Sequence, residues 1–220
     1  MKTNCFQESE HPTRLWWCPT GPFAFLPLHA ACNTEGKHAT DFVVSSYTPT
    51  LDMLIAAQSS EARMADPNVV VVVQSKVKDL PTLKHAIHEY HCIQEVVPAK
   101  YMMNIDGTQP NPNDRTSTKS AKIQNVLDRL QEASIVHLAC HGEQDQSKPL
   151  DSALLLEDGR LTISRMQLVQ RSSPASLAFL SACMTAKGDT TQPDEVIHLA
   201  ATMLSVGFRS AVATMWCVLI

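Results

Sequence analysis

The sequence predicts an α/β fold built on a mostly parallel sheet with helices on both faces. Three observations carry this. Five consecutive valines, Val69 to Val73, make a strand apolar on both sides, the pattern of a strand in the middle of a parallel sheet. Strand-like runs alternate with stretches of helical periodicity along most of the chain, and such units connect through right-handed crossovers. Two segments, Ser134 to Gly142 (SIVHLACHG) and Leu177 to Cys183 (LAFLSAC), end in the same way: an apolar run, a small residue, then a reactive side chain. The carboxyl ends of strands in an open parallel sheet are where ligands bind.

Each element follows from local pattern. Asp41 to Thr48 (DFVVSSYT) is β-branched and aromatic and reads as a strand; Pro49-Thr50 then opens a helix with Leu51, Leu54 and Ile55 on one face. Asp66-Pro67-Asn68 signals a turn before the valine strand, and the spacing of Leu83, Ile87 and Tyr90 predicts a helix from Thr82 to Gln94. Val96 to Ile105 is ambiguous and leaves a short strand open, whereas Gly107 to Asp114 (GTQPNPND) reads as an exposed, mobile loop. Thr118 or Ser120 is expected to cap a helix whose Ile123, Val126, Leu127 and Leu130 form one apolar stripe.

The His-bearing strand follows. Ala153 to Ile163 then carries Asp158-Gly159 between two short apolar runs, the mark of a tight hairpin. Past the Cys-bearing strand, Lys187 to Gln192 reads as a polar loop, and Pro193, Asp194 and Glu195 open a helix buried through Val196, Leu199, Ala200, Met203 and Leu204. Gly207 stops it, and Ser210 to Trp216 reads as the next strand.

With 220 residues, 44% of them apolar, the chain suits one large domain with a sizeable core. A net charge of -4 provides no basic field to attract nucleic acid, which is not an expected partner. The seven cysteines are odd in number and lack CxxC spacing, which argues against a disulfide framework and against a zinc ribbon and points to a reducing compartment. Leu15 to Cys32 is apolar, but Pro19, Gly21, Pro22 and Pro27 break any spanning helix. A cytoplasmic protein with no membrane segment is expected.

The chemistry centres on His141 and Cys183. A thiol attacks as its thiolate, and a neighbouring imidazole removes the proton or stabilises the anion. Gly142 has no Cβ to block close approach of a substrate, and the backbone amides of Gly142 and Cys183 are the expected oxyanion hole. The plainer alternative is an inert buried thiol and a histidine satisfied at a strand end. Elsewhere, His85, His88 and Cys92 fall at i, i+3 and i+7, so one helical face could present three metal ligands, although His88-Glu89-Tyr90-His91 has its histidines three apart instead of the four a zinc-protease helix requires. Strand alternation sends His137 and Cys140 to opposite faces. Trp16 and Trp17 are read as anchors of the N-terminal segment, and His198 as a packing residue. No metal and no other cofactor is expected.

Taken together, HLACHG from His137, LSACMTAKGD from Leu180, DEVIHLAATMLSVGFRSAVATMW from Asp194 and WWCPTGPFAFLPLHAAC from Trp16 resemble the CHAT domain, a family of caspase-like cysteine peptidases related to separase. The resemblance runs from Leu15 to the final residue, making residues 1-14 an N-terminal extension and 15-220 the domain, one expected to lack its C-terminal part. It implies a caspase-like three-layer sandwich, with the catalytic His141 and the nucleophile Cys183 at the ends of neighbouring strands, and a protein or peptide as substrate. In metacaspase relatives an acidic residue two places before the nucleophile helps select a basic P1 side chain. That position here is Ser181, with Asp189, Asp194 and Glu195 as further substrate-pocket candidates. The alternative is a catalytically inactive CHAT module acting as a protein-interaction domain.

Overall fold

The computed structural model describes residues 12-59, 66-106, 120-143, 145, 147-171, 175-181 and 199-214. These fall into two compact units, one within Met1–Ile55 and one taking in Ala56–Lys187 and Ile197–Ile220. In the first, strand β1 (Thr13–Trp17) pairs in parallel with β2 (Val43–Tyr47). The proline-rich stretch between them makes short 3-10 turns, and Tyr47 Oη accepts the His29 amide at 3.0 Å. The first strand had no counterpart in the sequence reading; Trp16 and Trp17 lie half-buried on it. Helix α1 (Leu51–Ser59) follows, with Thr50 Oγ1 accepting the Met53 amide at its start.

The second unit is built on five parallel strands. They are β3 (Val69–Gln74), β4 (Met102–Asp106), β5 (Ile135–Glu143), β8 (Ala175–Leu180) and β9 (Phe208–Val212), in spatial order β4-β3-β5-β8-β9. In sequence, β5 and β8 are separated by the antiparallel hairpin of β6 (Ala153–Leu156) and β7 (Gly159–Thr162). The ambiguous stretch before Ile105 is thus the strand β4, entered through a 3-10 turn at Ala99–Tyr101. The last strand starts two residues earlier than read, directly after Gly207.

Alternation along the strands sorts the core into two layers. Val70, Val72, Val136, Leu138, Cys140, Ala178 and Leu180 pack on helices α3 (Ile123–Glu132), α4 (Ile163–Met166) and α5 (Leu199–Val206). Val69, Val71, Val73 and Ala139 face α2 (Lys84–Val96) through Ala86 and Tyr90. The valine run is buried throughout, as a central strand covered on both faces must be. A helix layer, a sheet and a second helix layer make the three-layer sandwich.

Two expectations need correction. Ser120 does not cap helix α3, and Thr118 lies outside the described residues; Lys122 stands at the N-cap without a side-chain bond. The Ile123 amide donates instead to Asp158 Oδ1 at 2.8 Å, so the hairpin turn supplies the cap. That turn is Glu157-Asp158, and Gly159 opens β7 at φ +139°, a conformation that favours glycine. The His-bearing strand also does not end at His141: Ile135 to Cys140 run in the parallel sheet, then His141, Gly142 and Glu143 pair antiparallel with Leu155, Leu154 and Ala153. The loop at 107-114, the polar loop at 187-192 and the helix start at 193-195 lie outside the described residues.

Candidate active site

Counted in chain order, the five parallel strands stand 2-1-3-4-5. The connections leaving β3 and β5 therefore diverge, and the carboxyl ends of those two strands are where this topology favours ligand binding. Gln74, the last residue of β3, is in register with Cys140, so His141 reaches the sheet edge beside Ser75. Residues 75-83 form the loop above it. The Leu83 amide closes this loop on the Ser75 carbonyl at 2.9 Å, and Asp79 takes the left-handed conformation at φ 64°.

Inside that loop the Pro81 carbonyl points at His141, whose Nε2 lies 2.8 Å away. A carbonyl only accepts, so Nε2 carries the proton, and in the neutral ring Nδ1 holds the lone pair. The ring is thereby presented with a basic nitrogen free of this contact. On the far side of His141 the hairpin locks the bent end of β5: Arg160 donates to Glu143 at 3.0 Å and to the Asp151 carbonyl at 2.8 Å. Gly142 sits between His141 and Glu143, in register with Leu154.

One layer down the same sheet face, α2 delivers Glu89 between β5 and β8. Its Oε1 accepts from Ser181 Oγ at 2.8 Å, and its Oε2 lies 3.0 Å from His137 Nε2. The His137 ring stacks on Phe179, with centroids 5.1 Å apart and planes 17° from parallel. Burial holds the His137 pKa below its usual value of 6.5 and outweighs the opposing pull of the Glu89 carboxylate. His137 is therefore neutral near pH 7 and donates to Glu89 from Nε2.

Cys140 points into the opposite core, as alternation predicts; burial pushes its thiol pKa up to about 12. It therefore carries almost no thiolate near neutral pH.

Of the residues singled out by sequence, His141, Gly142 and Ser181 are described, at the carboxyl ends of adjacent parallel strands. Cys183, Asp189, Asp194, Glu195 and His198 lie outside the described residues. On α2, Cys92 Sγ and His88 Nε2 approach to 3.7 Å, but among the described residues no three acidic, His or Cys side chains gather as a metal site. In the sequence Glu89 stands out only as part of the zinc-like His88-Glu89-Tyr90-His91. The readable signal was an acid flanking the buried positions Ala86 and Tyr90, on a helix that must lie across a strand carrying His137.

Against known proteins, a family model described as the CHAT domain matches residues 5-220. No curated protein matches the chain.

Proposed function

The chain belongs to the CHAT domain family, and from that premise we propose that it is a cysteine endopeptidase cleaving protein or peptide substrates through a dyad of Cys183 and His141. The observation that carries this reading is the His141 ring, fixed at the sheet edge by Pro81 with Nδ1 left as the basic nitrogen. The caspase-like layering supports it, because the same edge receives β8, the strand that leads to Cys183 two residues after Ser181.

In this mechanism the Cys183 thiol gives its proton to His141 Nδ1 and the sulfur attacks the scissile carbonyl carbon. Charge moves to the carbonyl oxygen, where the amides of Gly142 and Cys183 receive it. The C–N bond breaks, and the leaving amine takes the proton from the imidazolium. Water then adds to the thioester, giving its proton to His141, and the acid is released with the thiol restored. No cofactor takes part.

Ser181 lines the pocket for the P1 side chain, with Asp189, Asp194 and Glu195 as further sources of charge around it. We place the protein in the cytoplasm: the described cysteines Cys18, Cys32, Cys92 and Cys140 are all free, as a reducing compartment allows. Among the described residues no helix is long and apolar enough to cross a membrane. Neither nucleic acid nor membrane is assigned as a partner.

The test is labelling of Cys183 with a peptidyl acyloxymethyl ketone. His141→Ala should slow labelling by about a hundredfold or more, the usual contribution of a general base. Equal labelling of both proteins would favour a catalytically inactive interaction module on the same fold.

A further inference from the structure

The contacts around Glu89 carry an inference that rests on the peptidase reading and gives its substrate class. Ser181, two residues before Cys183 in the sequence, donates to Glu89, so a carboxylate from α2 stands beneath the carboxyl end of β8. Among the described residues the basic side chain found beside it is His137, 3.0 Å away. Because burial keeps that imidazole neutral, the charge on Glu89 is not cancelled. A carboxylate offers about four lone-pair sites; Ser181 and His137 occupy one each. The Glu89 side chain keeps 33% of its surface exposed, against 12% for His137, so the remaining sites are reachable.

The surroundings suit a particular guest. Phe179 lies two residues below Ser181 on the same face of β8, roughly 7 Å down the strand. It is 38% exposed although its other neighbour is the stacked His137 ring. An aromatic floor leading from the sheet edge beside a carboxylate matches a side chain with a long apolar stem and a cationic head. Short or acidic side chains would leave the floor bare or meet repulsion.

We propose that this site takes a basic P1 residue, arginine or lysine, with Glu89 receiving the cation and Phe179 the aliphatic stem. Glu89 is then the specificity-determining residue, and an acid at the Ser181 position is not needed because α2 supplies one.

The test compares two acyloxymethyl ketone probes that differ only at P1, arginine against norleucine, on the full chain and on Glu89→Gln. Gln keeps the shape of Glu, accepts from Ser181 through its Oε1, and donates to His137 once that neutral ring takes the tautomer protonated at Nδ1, so the α2 contact survives; thermal unfolding checks this. The arginine probe should label Cys183 about tenfold faster or more than the norleucine probe, and in Glu89→Gln that ratio should fall to near one. A second arm measures benzamidine binding by its thermal shift, which should be lost in the variant. A ratio near one in the parent chain, or a ratio that Glu89→Gln does not move, overturns the assignment of Glu89 while leaving the peptidase standing. If no probe labels Cys183 but benzamidine binds in a Glu89-dependent way, the peptidase reading fails and the cation site stands. Loss of both labelling and binding overturns both.

Discussion

His141 donates from Nε2 to the Pro81 carbonyl across 60 residues of sequence, at 2.8 Å. That bond sets both the tilt of the ring and its tautomer, and it depends on the loop that carries Pro81. The loop is closed by one amide, Leu83 to the Ser75 carbonyl.

Leu83→Pro tests this dependence. Leu83 has φ -78°, close to the value proline imposes, so the substitution removes the closing hydrogen bond while matching that residue's backbone. Labelling of Cys183 should slow about tenfold, since small misplacements of a catalytic group are costly, while the far-ultraviolet circular dichroism stays unchanged. Unaltered labelling would mean that the loop holds its shape without this amide.

Cys140 provides a prediction about reactivity. Only the thiolate attacks an alkylating agent, and a thiol held at about 12 by burial supplies almost none at pH 8. Iodoacetamide followed by mass spectrometry should modify the exposed Cys18, Cys32 and Cys92 in the native protein and reach Cys140 only after denaturant is added. Alkylation of native Cys140 at the rate of Cys92 would contradict the buried setting on β5.

His137 should make the protein less stable in acid. Its folded pKa lies below 6.5, so above that pH the ring is neutral in both states and costs nothing. As the pH falls through 6.5 the unfolded chain takes up the proton first, and stability is lost progressively until the folded pKa is passed. Urea unfolding at pH 7 and at pH 5 should therefore show a smaller loss for His137→Gln than for the parent chain. Equal losses would assign the acid sensitivity to other groups.

What the sequence revealed and what it hid divide along chain separation. The valine strand, the stripe of Ile123, Val126, Leu127 and Leu130, and the hairpin around Asp158 were legible because each is written within a few neighbouring residues. His141 was legible as a strand-edge residue; its partner Pro81, sixty residues away on a loop, was not. The same holds for Glu89, which meets His137 over 48 residues and Ser181 over 92. Capping was misread for a related reason. Local sequence favours Thr118 or Ser120, but the donor at Ile123 is satisfied from the hairpin 35 residues downstream. The strand past Cys140 was cut short because its continuation exists only by pairing with β6.

Gly207 and Arg171 form a coupled pair whose disruption should be non-additive. The Arg171 guanidinium donates to the Leu130 and Ala133 carbonyls, which end α3, and lies over the Phe208 ring at 4.5 Å. It thereby satisfies acceptors that the helix itself cannot and complements the negative end of its dipole. Gly207 makes room for it: at φ +108° its backbone favours glycine, and an added Cβ would stand 3.2 Å from Arg171 Cδ. Gly207→Ala should cost about 1–3 kcal/mol in urea unfolding, from backbone strain and from displacing the arginine stem. Arg171→Met keeps an unbranched stem but frees both carbonyls, and should cost a comparable amount. Because the alanine already disturbs the arginine, the double variant should lose less than the sum of the two by about 0.5 kcal/mol or more. Strict additivity would show that the glycine is needed for its backbone conformation alone, and that Arg171 finds its carbonyls regardless of what occupies position 207.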